Sequence, residues 1–344
     1  MIKQSVFLFL AFVLVFSCKK DKPETITPSV IISNSSGVVY ITNEGNFQFG
    51  NAAISLYDKD SKNIIEDYYK QVNQVPLGDV CQSMVYFNNK FYIVVNNSSK
   101  VMVVNAATFK IETTISGFNS PRYFIPVSNS KAYVSDLYDN RLAIVNLSTN
   151  IISGYIPAVA GTEQMKMVYG KVFVSSLFTD KIYVINSMTD LLTDSIALAY
   201  SPNSICEDKN GMLWIMCSGD SLKQKPSALV QLNPIDNQVI KSLYFNGNHA
   251  PWRMCMNKQN DTLYFLDRHV WQMSIGDTTL PTTPFINGNG KLFYALNVDA
   301  SNGEIYVSDA IDYLQHGSIY RYTASGDLTD QFKAGIIPGG FCFR

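Results

Sequence analysis

Seven copies of one short pattern, an apolar stretch centred on an aromatic residue, constrain this chain more than any other feature. The copies read VVYITN (38–43), KFYIVVN (90–96), KAYVSD (131–136), KVFVSS (171–176), MLWIMC (212–217), TLYFLD (262–267) and EIYVSD (304–309). Their aromatics are Tyr40, Tyr92, Tyr133, Phe173, Trp214, Tyr264 and Tyr306. Successive aromatics lie at nearly equal intervals, except from Tyr40 to Tyr92 and from Trp214 to Tyr264. Those two longer intervals carry insertions, at 43–51 with 66–80 and at 218–227. A second alternating run follows each copy (RLAIVNLST, KIYVINSMT, SIYRYTASG), then a polar turn and a third run such as IISGYIPA or LLTDSIALA. A short run also precedes each copy after the first, for example SMVYF, YFIPV and RMCMN. Alternation with a period of two marks half-buried strands. Asn88-Asn89, Ser128-Asn129, Asn210-Gly211 and Asn302-Gly303 are the dipeptides of tight hairpins. Four short strands recurring about every 40 to 45 residues make a propeller blade.

The ends of the repeat set the blade count. The first copy begins directly at its central strand near Val38, with no strand before it. The last is followed by a spare strand, Gly340-Phe341-Cys342-Phe343, similar to Arg253-Met254-Cys255-Met256. The expected fold is an all-β, seven-bladed β-propeller over 37–344, closed when the C-terminal strand completes the first blade and hides two open edges. The sixth blade, with the irregular HVWQMSIGDTTLPTTPFI, is the weakest copy.

Residues 1–18 read as a targeting segment outside the fold. Lys3 precedes an unbroken apolar run from Val6 to Phe16, too short to span a bilayer comfortably. Val15-Phe16-Ser17-Cys18 resembles a bacterial lipobox, which implies cleavage before Cys18 and its lipidation. The alternative is an ordinary secretory signal containing a cysteine. Residues 19–36 are polar, with Pro23 and Pro28, and read as a flexible tether. Five cysteines remain, an odd number without CxxC spacing, which favours small core residues over a disulfide framework.

Lys and Arg total 27 against 28 Asp and Glu. That balance argues against nucleic acid as a partner and against long-range steering of a charged ligand. The propeller mouth that carries a site is built from the loops after the central strands and those entering the innermost strands. The first set includes 43–51, 96–99, 136–140, 176–180, 267–271 and 309–316; the second includes 119–122, 161–164, 202–203, 249–253 and 338–340. These loops hold Phe47, Phe49, Tyr138, Phe178, Trp271, Tyr313 and Trp252, rigid apolar surface with a polar tip on Tyr and Trp. Tyr138 and Phe178 occupy the same offset past their central aromatics, and His269 takes that position in the sixth blade. Arg122 and Arg253 supply charged hydrogen bonds beside them. The candidate ligand-binding set is therefore Phe47, Phe49, Arg122, Tyr138, Phe178, Trp252, Arg253 and His269; the bland alternative is that these rings pack the loops against one another. Asp136, Asp267 and Asp309 end central strands at equivalent places and read as turn caps.

No catalytic residue, metal site or cofactor is assigned. His249, His269 and His316 lie in separate loops without metal-site spacing. GxSxG, HExxH and P-loop patterns are lacking, as is the tryptophan signature of quinone-dependent propeller dehydrogenases. A site assembled from distant blades leaves a hydrolase or lyase as a less favoured alternative.

Units such as KAYVSDLYDNRLAIVNLSTNIISGYI resemble the YVTN-type repeats of surface-layer and DUF5074-like propellers. VVYITNEGNFQFGNAAISLYDKDSKNI resembles the opening blade of Bacteroidetes lipoprotein propellers, most specifically at Asn43-Glu44-Gly45-Asn46 and Gly50-Asn51. One characterised branch of those proteins binds vitamin B12 at the cell surface and passes it to an outer-membrane transporter. The resemblance implies a monomeric, lipid-anchored outer-membrane protein, on the cell surface rather than the periplasmic face. It captures a small ligand at one mouth, a corrinoid being the first candidate, or else serves as a scaffold for an envelope protein such as a transporter. Stable anchoring requires more than one acyl chain, at about 0.8 kcal/mol per buried methylene. Cys18→Ser is expected to move the protein from the membrane fraction to the soluble fraction. Retention of that variant on membranes after a salt wash would contradict the lipoprotein reading.

Overall fold

The computed structural model describes residues 37–344. Cys18, the targeting segment and the tether lie outside the described residues. Every strand is antiparallel to its neighbours, and the strands group into seven sheets. The second blade shows the pattern: Cys81–Phe87 innermost, then Lys90–Val95, Lys100–Asn105 and Ile111–Ser116 outermost. Residues 121–157, 162–197, 202–244 and 293–336 repeat it as blades three, four, five and seven.

Each central strand is buried on both faces, because blades stack face to face. The seven repeated aromatics are the wedges. Tyr40, Tyr133, Phe173, Trp214 and Tyr306 have no exposed surface, and Tyr92 and Tyr264 nearly none. Tyr92 stacks on Phe124 of the third blade at 4.3 Å, and Tyr40 packs on Phe91 of the second at 4.6 Å. Outermost strands such as Leu191–Ala197 face water along most of their length. The five cysteines among the described residues are free. Burial pushes the thiols of Cys206, Cys217 and Cys342 up to about 12, as befits core residues rather than reactive ones.

The first blade is completed from the C-terminus. Pro338–Phe343 pairs with Val38–Asn43, with Cys342 opposite Tyr40 and Phe341 opposite Ile41. Phe341 and Phe343 also pack on Tyr306 of the seventh blade at 5.8 and 5.2 Å between ring centroids. The insertion at 66–80 carries a short helix, Tyr68–Asn73, whose Tyr68 and Tyr69 are buried beside Phe109.

The sixth blade departs from the expected four strands. It has three, Trp252–Met256, Thr262–Asp267 and His269–Ser274, and its fourth is reduced to one bridge between Val270 and Ile286. Pro281 and Pro284 interrupt the segment that would form it, and proline cannot donate to a sheet ladder. Deleting residues 338–344 removes the closing strand and exposes the edge of Val38–Asn43 together with the face of Tyr306 that Phe341 and Phe343 cover. We expect that variant to elute as aggregate in size-exclusion chromatography, whereas a monomer with unchanged Tm would refute closure by this strand.

Candidate functional site

All seven innermost strands share one irregularity. Just after the first paired residue, each carries one residue more than the central strand beside it. Such a bulge re-aims side chains. The central strands support it: Tyr123 N–H donates to Ser135 Oγ (3.0 Å), Ala295 N–H to Ser308 Oγ (2.8 Å), and Ser175 Oγ–H to Gln164 C=O (3.0 Å). The serine of the YVSD-type repeat therefore satisfies backbone that the bulge would leave orphaned.

The second residue of each innermost strand is Gln82, Arg122, Glu163, Asn203, Arg253, Tyr294 or Gly339. Six of these side chains ring the throat of the channel. At the seventh place Glu44 substitutes, reaching in from the loop after the first central strand; a Cβ on Gly339 would lie 2.7 Å from its Oε1. Backbone bonds fix that loop, with Glu44 N–H donating to Ile337 C=O at 2.9 Å and Gly45 N–H to Ile336 C=O at 3.0 Å.

The ring is a charge network. Arg122 grips Glu163 through Nε and Nη2, both at 2.7 Å, and donates to Gln82 Oε1 at 2.5 Å. Burial works against the charge of Arg122, but the Glu163 carboxylate outweighs it and raises its pKa. Arg253 reaches across the channel to donate to the Tyr123 hydroxyl of the third blade at 2.7 Å, and lies 3.8 Å from Glu44. The Tyr294 hydroxyl is 3.1 Å from each Glu44 oxygen. Burial pushes the Glu44 carboxyl above its usual range, and the nearby Arg253 only partly offsets this. Two buried donors, Gln82 Nε2 and Arg253 Nε, have no hydrogen-bond partner among the described residues. Both residues line both channel cavities, each of about 290 Å³, which meet at Gln82, Tyr123, Gln164 and Arg253.

Arg122, Trp252 and Arg253 from the sequence-derived set thus meet in the throat. Trp252 packs edge-on against Tyr294, which packs edge-on against Tyr313. Phe47, Phe49, Tyr138 and Phe178 stand on the rim of the same mouth, 61%, 77%, 64% and 49% exposed. They do not stack on one another; Phe178 instead covers the position where Gly161 lacks a Cβ. His269 opens the third strand of its blade, because Arg268 (φ 59°) turns the chain in one residue, and its Nδ1 accepts the Gly288 N–H at 3.0 Å. It lines neither channel cavity. Asp136 and Asp309 cap turns through backbone N–H groups, while Asp267 pairs with His249. Sequence reasoning missed Glu44, Gln82, Glu163, Asn203 and Tyr294 as site residues. Aligning the second residue of each innermost run would have found all but Glu44. Among the described residues no group of three or more His, Cys, Asp or Glu is placed to hold a metal.

Residues 37–334 match the family described as Domain of unknown function (DUF5074). No curated protein matches the sequence. Several solved structures share the fold. A quinonprotein alcohol dehydrogenase-like protein from Bacteroides thetaiotaomicron aligns with TM-score 0.72 and 16% identity, over 90% of this chain and 78% of its own. A protein provisionally assigned as a 6-phosphogluconolactonase, from Bacteroides fragilis, aligns with TM-score 0.66 and 13% identity, over 91% and 99%. The extracellular domain of a proposed one-component system from B. thetaiotaomicron gives 0.64 and 14%, over 88% and 44%. Identities this low carry the fold and not the chemistry.

The raised Glu44 carboxyl makes a pH prediction. A group whose folded pKa exceeds its unfolded value, about 4.3 for Glu, stabilises the fold fully below that unfolded value. The contribution is lost as pH rises through the folded pKa. The Tm of the native protein relative to Glu44→Gln should therefore fall as pH is raised from about 4 towards neutrality. A constant difference across that range would contradict the burial of Glu44 in the throat.

Proposed function

The chain belongs to the DUF5074 family, and from that premise we propose that it is an envelope lipoprotein that captures a ligand at the mouth holding the throat ring. The two unpartnered donors, Gln82 Nε2 and Arg253 Nε, carry the reading. An unmade buried hydrogen bond costs about 1–3 kcal/mol, so either donor would gain by turning towards an acceptor that enters the cavities its residue lines. The ring holds two arginines and two glutamates, Arg122 and Arg253 against Glu44 and Glu163. This balance favours a neutral acceptor such as an amide carbonyl over an anion. Each channel cavity admits only an arm of a large ligand, and the body stays outside on the exposed rings of the rim.

A flat ligand with amide side arms meets both conditions, and a corrinoid is the first candidate. Lipid attachment through Cys18 and display at the cell surface fit delivery to an outer-membrane transporter. The exposed Phe47, Phe49, Tyr138 and Leu314 favour a second reading, in which the rim docks on an envelope protein.

Calorimetric titration with cyanocobalamin and cobinamide tests the first reading. Each rim ring covered contributes roughly 25 cal/mol per Å² of apolar area, so Tyr138→Ala with Phe178→Ala should weaken binding at least about tenfold. Tyr138 projects from the surface and Phe178 is half exposed over Gly161, so Tm should move by no more than a few degrees. Absence of heat with both probes at micromolar protein would reject the corrinoid and leave the docking reading.

A further inference from the structure

The missing fourth strand of the sixth blade leaves space that nothing in the throat uses. Between the outermost strand of the fifth blade, Gln238–Tyr244, and the 275–285 segment lies a cavity of about 580 Å³, larger than either channel cavity. Its volume falls within the range of small-molecule pockets. Lys241 Nζ donates to Asp277 C=O at 2.9 Å and ties the segment over the opening. Leu243, Phe245, Phe265, Trp271 and Leu280 form the apolar wall. Phe245 meets Phe265 edge-on at 5.8 Å, and Phe265 lies parallel to Trp271 at 6.5 Å. Trp271 Nε1–H donates to Asp267 C=O at 3.0 Å, which fixes its ring before any ligand arrives.

One polar device interrupts this wall. His249 Nδ1 is hydrogen-bonded to the carboxylate of Asp267, a side chain only 10% exposed. The partner on one ring nitrogen sets the role of the other. With the Nδ1 proton donated to Asp267, the neutral ring presents Nε2 as a lone-pair acceptor. An acceptor of this kind on an aromatic-walled cavity selects a planar ring carrying an O–H donor.

We infer that this cavity between the fifth and sixth blades is a second binding site, separate from the throat, for planar aromatic alcohols whose hydroxyl donates to His249 Nε2. The probe is 2-naphthol, with 2-methoxynaphthalene as the matched compound that cannot donate. In calorimetric titration of the folded protein, 2-naphthol should saturate a single site and bind at least tenfold more tightly than its methyl ether, the discrimination of one hydrogen bond to a polarised partner. His249→Phe keeps a ring but removes the acceptor, and should abolish that tenfold preference. Because this variant leaves Asp267 unpartnered and can lose stability, Leu280→Trp, which fills the cavity without touching the pair, should remove 2-naphthol binding in a protein of native Tm. Three results would overturn the inference: equal affinity for the two probes, unchanged 2-naphthol affinity in a folded Leu280→Trp variant, or binding weaker than about 1 mM.

Discussion

The pairing of the last strand with the first is the interaction on which the rest depends. A blade buries its central strand only against the blades beside it, so a ring with one seam open exposes two apolar faces and two strand edges. Here the seam is joined by backbone bonds from Val38 N–H to Arg344 C=O (3.2 Å) and back from Arg344 N–H to Val38 C=O (3.1 Å). The same stretch also completes the site. Gly339, in the closing strand, leaves the space that Glu44 enters, so ring closure and throat chemistry rest on a few neighbouring residues.

The throat follows from a backbone property repeated in every blade. One extra residue per innermost strand brings a polar side chain to the channel in six blades, and in the third, fourth and seventh a central-strand serine supplies a hydrogen bond that helps to make this tolerable. Charged and polar contacts then hold neighbouring blades together, as Arg122 does for the second, third and fourth. A buried carboxylate or guanidinium is costly unless paired, and this ring leaves the donors of Gln82 and Arg253 open. Divergence is concentrated in the sixth blade, where the outermost strand is lost and Asp267, a turn cap in sister blades, turns to His249 instead.

Most of the architecture was legible in the sequence. The near-constant aromatic period marks the central strands because each wedge must be apolar on both faces, and the spare Gly340–Phe343 run foretold the closing strand. The sixth blade was visible as an irregularity but not as a three-stranded sheet, since Pro281 and Pro284 forbid a ladder without saying what replaces it. The site was only half legible. Arg122, Trp252 and Arg253 stood out as charged or aromatic residues at loop ends, and the structure brings them together. Glu44 lay in the most distinctive motif of the chain yet gave no sign that it would substitute for Gly339, at the opposite end of the sequence. His269 shared a sequence offset with Tyr138 and Phe178, but the one-residue turn at Arg268 places it in a strand, a difference of backbone conformation that spacing does not record.

Hydrogen exchange of the intact chain, read by mass spectrometry, tests the closed ring most directly. Backbone amides paired on both sides open only with the fold, whereas frayed termini exchange freely. The account predicts that peptides covering 38–43 are protected to the degree of the central strand Lys171–Ser176, and those covering 338–344 to the degree of the innermost strand Thr162–Val168, which is likewise paired on one side. Exchange of 338–344 at the rate of exposed loops, with 38–43 protected on one side only, would contradict it.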